Sequence, residues 1–447
     1  MWIHRVACFL VLMVLGETLA FAQFPNNVGG IRIDAEGVVT SAMPDGKSLV
    51  LNRKKLEAAA RSGLPEELSR RSDSRKVSLV KLEKALIAAM GSNEPPTMAM
   101  RHLAGLQRID YVFVYPDTQD LVIAGPAEGF AEAPDGRVVG MTTGRPTLRL
   151  DDWIVAWRSS DDSQKIGCSI DPEPQSLAAL QQFLAANSTP ATPDVVRNRY
   201  RRMASLLGLQ NIRVFGVPDD SHLAAVLVEA DWRMKRMTLG LETHGVRGLK
   251  SHLAMIGAGS GNSLQRWWFT PYFDGLHRST DGLAFHWSGP RVQLVAQEEL
   301  SNAGGQRRDA AVTRASTQGF AKQFTDRYEE LASRLPIFAE LQNGVDLCVL
   351  AALIRHKGLD QKIGWKHELF DHDQQLDYPR NAVPRKVQSL VNIRPAGSVI
   401  VGLLGGVSLE TREVMQDERW QASSPELRLE GIRTDATADV NADWWWD

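Results

Sequence analysis

Residues 229–242 have the sequence EADWRMKRMTLGLE, which places six charged side chains beside two methionines and a tryptophan. At about 100° per residue, a helix through this stretch has one apolar face. That face is formed by Leu223, Val226, Leu227, Ala230, Met234, Met237 and Leu241. The pairs Glu229 with Arg233 and Asp231 with Lys235 are spaced i, i+4, a spacing that stabilises isolated helices. The pattern predicts an amphipathic helix whose charged side chains face water.

The same stretch is also compatible with a strand. In that alternative, one side carries Val226, Val228, Ala230, Trp232 and Met234, and the other carries Leu227, Glu229, Asp231, Arg233 and Lys235. The two interpretations differ at Val228 and Trp232, which lie opposite the apolar face of the helix but on the apolar side of the strand. In a helix, Trp232 therefore needs a second partner surface. The candidate binding or subunit-interface residues are Asp231, Trp232, Arg233 and Lys235.

Residues 1–22 have the three parts of a secretory signal peptide. His4 and Arg5 precede a short apolar run, and Ala20-Phe21-Ala22 supplies a small-residue cleavage site. We expect cleavage after Ala22, which would export the protein to the periplasm or the cell exterior. The apolar run is shorter than the roughly 20 residues that span a bilayer, and we expect no membrane span later in the chain.

The composition limits which partners the protein is expected to bind and how many disulfides it can form. Lys and Arg number 51 and Asp and Glu number 53, which gives a formal net charge of −2. Nucleic-acid binding depends on neutralising phosphates, so this balance argues against a nucleic-acid partner. Hydrophobic residues make up 43% of the 447 positions, enough for a sizeable core. After signal cleavage Cys168 and Cys348 remain, either as one disulfide or as two buried, small apolar side chains.

The alternation of elements predicts an α+β fold with short, largely antiparallel strands, an α/β layer around 166–240 and a helical segment around 311–357. Ser78 is placed to cap a helix that continues to Met90, and Pro116-Asp-Thr-Gln119 predicts a hairpin turn. The predicted regions are 23–184 (N-terminal α+β), 195–300 (central α/β with an aromatic β-meander), 311–411 (helical, with a returning strand) and 412–447. The last is an acidic tail that we expect to be disordered.

Aromatic side chains are concentrated between 267 and 287. They are Trp267, Trp268, Phe269, Tyr272, Phe285 and Trp287, in a region predicted to form three strands of a meander. Exposed aromatic rings on a sheet can stack on sugars or anchor a protein partner, whereas buried ones fill a core. Trp267 and Trp287 are the candidate binding residues, and a carbohydrate or a protein is the candidate partner.

Metal and cofactor motifs are incomplete in this sequence. Histidines 222, 244, 252, 277 and 286 fall close together in the chain, but none of their spacings is a compact ligand pair. The histidines of His367-Glu-Leu-Phe-Asp-His372 are five residues apart, where a zinc-hydrolase helix requires four. The glycine-rich stretch Gly257–Asn262 lacks the residues that complete a nucleotide loop and predicts a connector. We therefore expect no metal and no cofactor, and the sequence nominates no nucleophile.

Five motifs occur in order along the chain. They are GGIRIDAEG at 29–37, IAGPAEG at 123–129, GRPTLRLDD at 144–152, CSIDP at 168–172 and ADWRMK at 230–235. Together they resemble a family of exported planctomycete proteins known only as a domain of unknown function. The resemblance spans about 29–410 and implies export and a single architecture. It implies no activity.

These observations favour an exported binding or structural module of the cell envelope over an enzyme. The alternative is an exported hydrolase acting on polysaccharide or peptide through a site that the sequence does not reveal. A hydrolase should bring several chemically active side chains together in a concave pocket. The residues named for that test are His222, Asp231, Arg233, His244 and His252. A homo-oligomer with Trp232 at its interface is a further hypothesis.

Overall fold

The structure is a computed structural model. It describes residues 27–28, 31–33, 38–41, 64–160, 165–189, 191–256, 264–302, 304–372, 378–390, 403–424, 427–437 and 443–447. The predicted signal peptide and the glycine-rich stretch Gly257–Asn262 lie outside these residues.

The described residues contain fourteen α-helices. They are α1 (Glu66–Ser69), α2 (Leu79–Gly91), α3 (Met98–Arg101), α4 (Leu150–Arg158), α5 (Pro174–Ala186), α6 (Pro193–Leu207), α7 (His222–Thr238), α8 (His252–Met255), α9 (Ala315–Asp326), α10 (Tyr328–Arg334), α11 (Pro336–Lys357), α12 (Leu359–Ile363), α13 (Thr411–Val414) and α14 (Leu429–Asp435). The Ser78 hydroxyl accepts a hydrogen bond from the Lys81 backbone N–H and so caps α2, as predicted. Ser221 caps α7 in the same way, through the Ala224 N–H.

Ten strands form the larger sheet, in the order β1-β2-β3-β16-β10-β9-β17-β11-β14-β15. They are β1 (Asn27–Val28), β2 (Ile31–Ile33), β3 (Val38–Ser41), β9 (Ile166–Pro172), β10 (Leu209–Phe215), β11 (Leu264–Tyr272), β14 (Arg291–Ser301), β15 (Arg307–Asp309), β16 (Lys386–Gln388) and β17 (Leu403–Leu409). Strands from three of the predicted regions share this sheet. The order β9, α5, α6, β10, α7 confirms the α/β layer predicted around 166–240.

Seven strands form the second sheet, in the order β18-β12-β13-β5-β6-β4-β19, and two more form a separate hairpin, β7-β8. They are β4 (Ser72–Ser78), β5 (Tyr111–Tyr115), β6 (Asp120–Ala127), β7 (Phe130–Glu132), β8 (Val138–Gly140), β12 (Gly275–Arg278), β13 (Ala284–Ser288), β18 (Gln421–Ala422) and β19 (Trp445–Trp446). The predicted hairpin at Pro116–Gln119 joins β5 to β6. Most of the pairings in both sheets are antiparallel, so the predicted α+β class is confirmed.

Helix α7 confirms the helical interpretation for residues 229–238, whereas Leu239–Glu242 lie beyond the end of the helix. The prediction that its charged side chains face water is wrong. One side of α7 packs on β9, β10 and β17, and the other packs on α11. A Cβ added at Gly344 of α11 would lie 2.7 Å from the Leu223 side chain, so the two helices are in close contact. Because both sides are covered, all but one of the residues of α7 are buried.

Trp232 occupies the side of α7 that faces the sheet. Its side chain is buried in a small cluster with Val39 of β3, Ile170 of β9 and Val387 of β16. The second partner surface that a helix requires for Trp232 is therefore the large sheet of the same chain. A subunit interface anchored by Trp232 has no structural basis, because that side chain is not accessible.

The aromatic region contains four strands divided between the two sheets, and the prediction of a three-stranded meander is wrong. Strands β11 and β14 pair with each other in the ten-stranded sheet. Strands β12 and β13 pair with each other in the seven-stranded sheet. The turns at Asp274 and at Ser288–Arg291 are therefore crossings from one sheet to the other, and they lie side by side, because the Asp274 N–H donates to the Ser288 carbonyl.

The predicted disorder of 412–447 is also wrong for the described part of this segment. Helix α14 packs on β13, and β19 pairs with the edge of β4. Trp444 is buried in the main core. The Asp447 carboxylate accepts hydrogen bonds from Nε and Nη2 of Arg75, at 2.8 and 3.0 Å, and the Arg75 side chain is fully buried. The buried Trp444 and the ion pair of Asp447 with the buried Arg75 fix a segment whose composition is that of a solvated tail.

We predict that Asp447→Asn lowers stability at neutral pH but not in strong acid. Burial raises the pKa of Asp447, but the hydrogen bonds and the charge of Arg75 act in the opposite direction. The net result is a pKa below the ordinary value of an aspartate. A lowered carboxyl pKa contributes stability above the ordinary carboxyl range of about 4, and this contribution is lost as the pH falls through the lowered value. Thermal unfolding of both proteins between pH 2 and 7 measures this. A constant difference in Tm over that range would contradict it.

Helix α11 is the central element of the core. Every residue from Ile337 to Ile354 is buried. By length and composition this helix could cross a membrane, whereas we expected no later segment to be long and apolar enough. Its apolar residues are completely buried inside the protein. It also carries Glu340 and Asp346, which make buried ion pairs. The absence of a membrane span stays a prediction.

Candidate functional site

Asp231 and Lys235 form a buried ion pair with each other on the sheet side of α7. Their side chains are buried, and Lys235 Nζ lies 2.8 Å from Asp231 Oδ2. Burial raises the pKa of Asp231, although the charge of Lys235 opposes that shift. The two charges neutralise each other inside the protein. This pair therefore presents no reactive or binding surface.

His222, Glu229 and Arg233 of α7 belong to a longer buried chain of ion pairs, the core charge network, while the partly exposed Arg236 pairs with Glu242 at its edge. It consists of Asp152, His222, Glu340, Arg137, Glu229, Arg233 and Glu242. The closest contacts are 2.7 Å from Arg137 to Glu340, 2.8 Å from Arg137 to Glu229 and 2.7 Å from Arg233 to Glu242. The network joins α4, α7, α11 and the β7-β8 hairpin. It thus connects elements that lie far apart in the sequence.

His222 lies at one end of the core charge network. Its Nδ1 is 2.9 Å from Asp152 and its Nε2 is 3.8 Å from Glu340. Burial and the charge of Arg149 lower the pKa of His222, but the two carboxylates raise it to a net value above the ordinary one. A raised histidine pKa stabilises the fold below its ordinary value of about 6.5, and this stability is lost as the pH rises through the raised value.

The other two histidines named for the enzyme test lie elsewhere. His252 is buried, with its ring centroid 4.9 Å from that of Trp267, and burial lowers its pKa to about 4. His244 accepts a hydrogen bond from the Val246 N–H. His222 and Arg233 share the core charge network, whereas Asp231, His244 and His252 each lie in a different environment. In the described chain, the five residues do not form one concave site.

The two candidate tryptophans and the two cysteines are also buried. Trp267 and Trp287 are fully buried, so they form no exposed aromatic platform. Their positions on β11 and β13 place them in the main core, where Trp267 Nε1 donates to the Thr317 carbonyl. Cys168 and Cys348 are free, buried thiols, and the alternative of a disulfide between them is not what the structure shows.

An open pocket lies where the chain crosses between the two sheets. It has a volume of about 430 Å³. It is lined by Arg108, Asp110, Asp274, His286, Trp287, Ser288, Gly289, Pro290, Arg291 and Glu329. We call it the crossing pocket. Of the candidate binding residues, Trp287 lines it, and so does His286, one of the histidines weighed for a metal site.

Asp346 of α11 fixes the floor of the crossing pocket. Its Oδ1 accepts from Trp287 Nε1 at 3.0 Å and from Arg291 Nε at 2.9 Å, and its Oδ2 accepts from the Ile109 N–H at 2.9 Å. Arg291 and Asp346 are both fully buried. Asp110 Oδ1 accepts from Arg291 Nη2 at 2.7 Å. These bonds hold the turn against one buried carboxylate.

Arg291 has a backbone φ of +65°, a conformation that is unfavourable for residues other than glycine. Such a conformation persists only where the surroundings impose it, and it occurs preferentially at functional sites. The guanidinium of Arg291 donates to Asp346, Asp110 and the carbonyls of Gly289 and Ile109. The strained backbone is therefore held by four hydrogen bonds of the Arg291 side chain.

The rim of the crossing pocket combines arginines with a half-exposed carboxylate. Glu329 of α10 is 47% exposed, and its oxygens lie 3.6 Å from Arg108 Nη1 and 3.5 Å from Arg145 Nη1. Gln342 Nε2 donates to Glu329 Oε1 at 3.0 Å. The Arg108 Nε lies 3.2 Å from Asp110 but lacks the alignment of a hydrogen bond, and the Arg145 Nε has no hydrogen-bond acceptor among the described residues. Both Nε atoms are buried and therefore out of reach of a ligand. The half-exposed carboxylate of Glu329, with its long contacts to the two arginines, is the acceptor that stays available at the rim.

His286 borders the pocket as a neutral ring. Burial and the nearby His277 and Arg291 lower its pKa to about 4. Its ring centroid lies 4.8 Å from that of Tyr111. At neutral pH, therefore, His286 contributes a polar but uncharged surface.

The local sequence signals near this site are the turn residues Asp274-Gly275 and Ser288-Gly-Pro290, where the chain crosses between the sheets. Arg108 lies 181 residues before Gly289, and Arg108, Asp346 and Glu329 have no shared spacing. In the described residues, no group of three or more His, Cys, Asp or Glu side chains is arranged to hold a metal ion.

The chain was compared with protein families, curated proteins and solved structures. No curated protein and no solved structure matches it. The family match agrees with the resemblance to a family known only as a domain of unknown function, and a planctomycete origin stays a prediction. Residues 168–252, from β9 to α8, match the family described as "Protein of unknown function (DUF1598)".

Proposed function

We propose that the protein is an exported binding module that holds a small polar ligand in the crossing pocket. The observation that carries this proposal is the pocket itself, an open concavity whose floor is fixed by Asp346 and Arg291. Ligand pockets commonly have volumes of about 300–1,000 Å³ and a few well-placed polar groups, and the crossing pocket fits the lower part of that range. The strained turn at Arg291 supports the same role, because such strain is commonly associated with function.

Export to the periplasm or the cell exterior is part of this proposal. It rests on the charged start, the short apolar run and the Ala20-Phe21-Ala22 site of residues 1–22. A homo-oligomer also stays a proposal, without Trp232 as its anchor. The hydrolase alternative receives no support from the described residues, since His222, Asp231 and His252 lie in three separate environments.

The proposal is tested with the mature chain and a panel of small polar compounds, namely monosaccharides, uronic acids, amino acids and dipeptides. Ligand-observed NMR should detect binding of at least one class. Glu329→Gln should weaken that binding about tenfold, because it removes a charged acceptor from the rim. The matched control is Glu330→Gln, the next residue of α10. Glu330 lies 3.4 Å from Arg334 and does not line the pocket.

Two results would contradict this function. One is that no compound in the panel binds to the mature chain. The other is that Glu329→Gln and Glu330→Gln have equal effects on the affinity of any compound that does bind. Thermal unfolding of both variants shows whether each protein remains folded.

A further inference from the structure

The charges around the crossing pocket nearly cancel. The residues that line the pocket carry two guanidinium groups, of Arg108 and Arg291, and three carboxylates, of Asp110, Asp274 and Glu329. The formal sum of two positive and three negative charges is −1. His286 adds none, since its low pKa keeps it neutral at physiological pH. A site selective for an anion or a cation carries an excess of the opposite charge, which this one lacks.

The donors and acceptors nevertheless alternate around the opening. Arginine side chains only donate hydrogen bonds and ionised carboxylates only accept them, whereas a hydroxyl group does both. Arg108 is flanked by Asp110 and by Glu329, and Glu329 lies between Arg108 and Arg145. Neighbouring hydroxyls of one ligand can therefore each meet a donor on one side and an acceptor on the other.

We infer, on the basis of the proposed function, that the ligand of the crossing pocket is a neutral sugar. The contacts of Glu329 with Arg108 and Arg145, at 3.6 and 3.5 Å, are long for ion pairs, so a sugar hydroxyl competes with them readily. The volume of about 430 Å³ suits one or two sugar rings. The Trp287 ring is fully buried, so hydrogen bonds to the rim, rather than stacking on this ring, provide recognition.

The test compares neutral and charged forms of the same sugar on the mature chain. Isothermal titration at pH 7 measures the affinity for glucose, galactose and mannose, for glucuronate and galacturonate, and for glucosamine. At least one neutral sugar should bind, and neither its uronate nor its amino form should bind more tightly. Affinity for the neutral sugar should stay constant within about twofold from pH 5.5 to 8, because His286 does not titrate there.

Other outcomes separate this inference from the function on which it rests. Uronate binding more than tenfold tighter than the parent sugar would overturn the neutral-sugar assignment and leave the binding function intact. Binding of amino acids or dipeptides in place of sugars would do the same. If no member of either panel binds, the binding function itself fails. Glu330→Gln should not change any measured affinity.

Discussion

Replacing Arg137 by methionine should lower the free energy of unfolding by about 3–5 kcal/mol at pH 7, as expected when one partner of a buried ion pair is removed. Arg137 is the centre of the core charge network and lies within 2.8 Å of both Glu229 and Glu340. Although burial lowers the pKa of Arg137, the two carboxylates raise it well above its ordinary value. Methionine retains much of the apolar volume but leaves both carboxylates without the guanidinium. Urea denaturation measures the change.

The control for this prediction is an exposed ion pair of similar geometry. Lys322 and Asp326 are 2.7 Å apart on the surface of α9, and Lys322→Met should change the free energy of unfolding by less than about 1 kcal/mol. Adding Glu340→Gln to Arg137→Met should cost less than the sum of the two single changes, because the amide removes one uncompensated charge. An Arg137→Met effect equal to that of Lys322→Met would show that the network does not stabilise the fold.

Asp346→Ala should also lower the free energy of unfolding by about 3–5 kcal/mol, because it leaves the buried Arg291 guanidinium without its closest buried carboxylate. It removes acceptors for Trp287 Nε1 and the Ile109 N–H as well. Asp346→Asn keeps the shape and one acceptor oxygen, so it should destabilise less. Urea denaturation of the three proteins gives the order wild type, Asn variant, Ala variant.

A loss of structure at the crossing pocket should accompany this destabilisation. The φ of +65° at Arg291 is maintained by the hydrogen bonds that Asp346 and its neighbours accept. Hydrogen exchange at Ser288–Arg291 should therefore increase in Asp346→Ala beyond the increase seen in β5. Equal exchange at that turn in wild type and variant would show that Asp346 does not fix the pocket floor.

The helix over residues 222–238 was predictable because its apolar residues recur with helical periodicity. Whether its charged side chains are buried or exposed was not predictable. The i, i+4 spacing of Asp231 and Lys235 is the same for a pair in water and a pair in a core. Only the positions of the large sheet and α11, on opposite sides of α7, show that both side chains are buried.

The predictions for the acidic tail and the aromatic region were wrong for a related reason. Composition alone describes 412–447 as solvated, but Arg75, more than 370 positions earlier in the chain, supplies the buried cation that Asp447 neutralises. Turn residues at Asp274 and Ser288 indicate only that the chain reverses its direction there. They could not show that each reversal also moves the chain into the other sheet, because both kinds of turn use the same residues.

The sequence by itself determined the α+β class, the α/β layer around 166–240, the Ser78 cap of α2 and the hairpin at Pro116–Gln119. These depend on periodicity and on contacts between residues close in the chain. Tertiary structure alone decided that Trp232 packs on the sheet, that seven charged side chains form the core charge network, and that Arg108, Glu329 and Asp346 meet at the crossing pocket. Such contacts join residues far apart in the chain, and no local pattern records which distant side chain will become a neighbour.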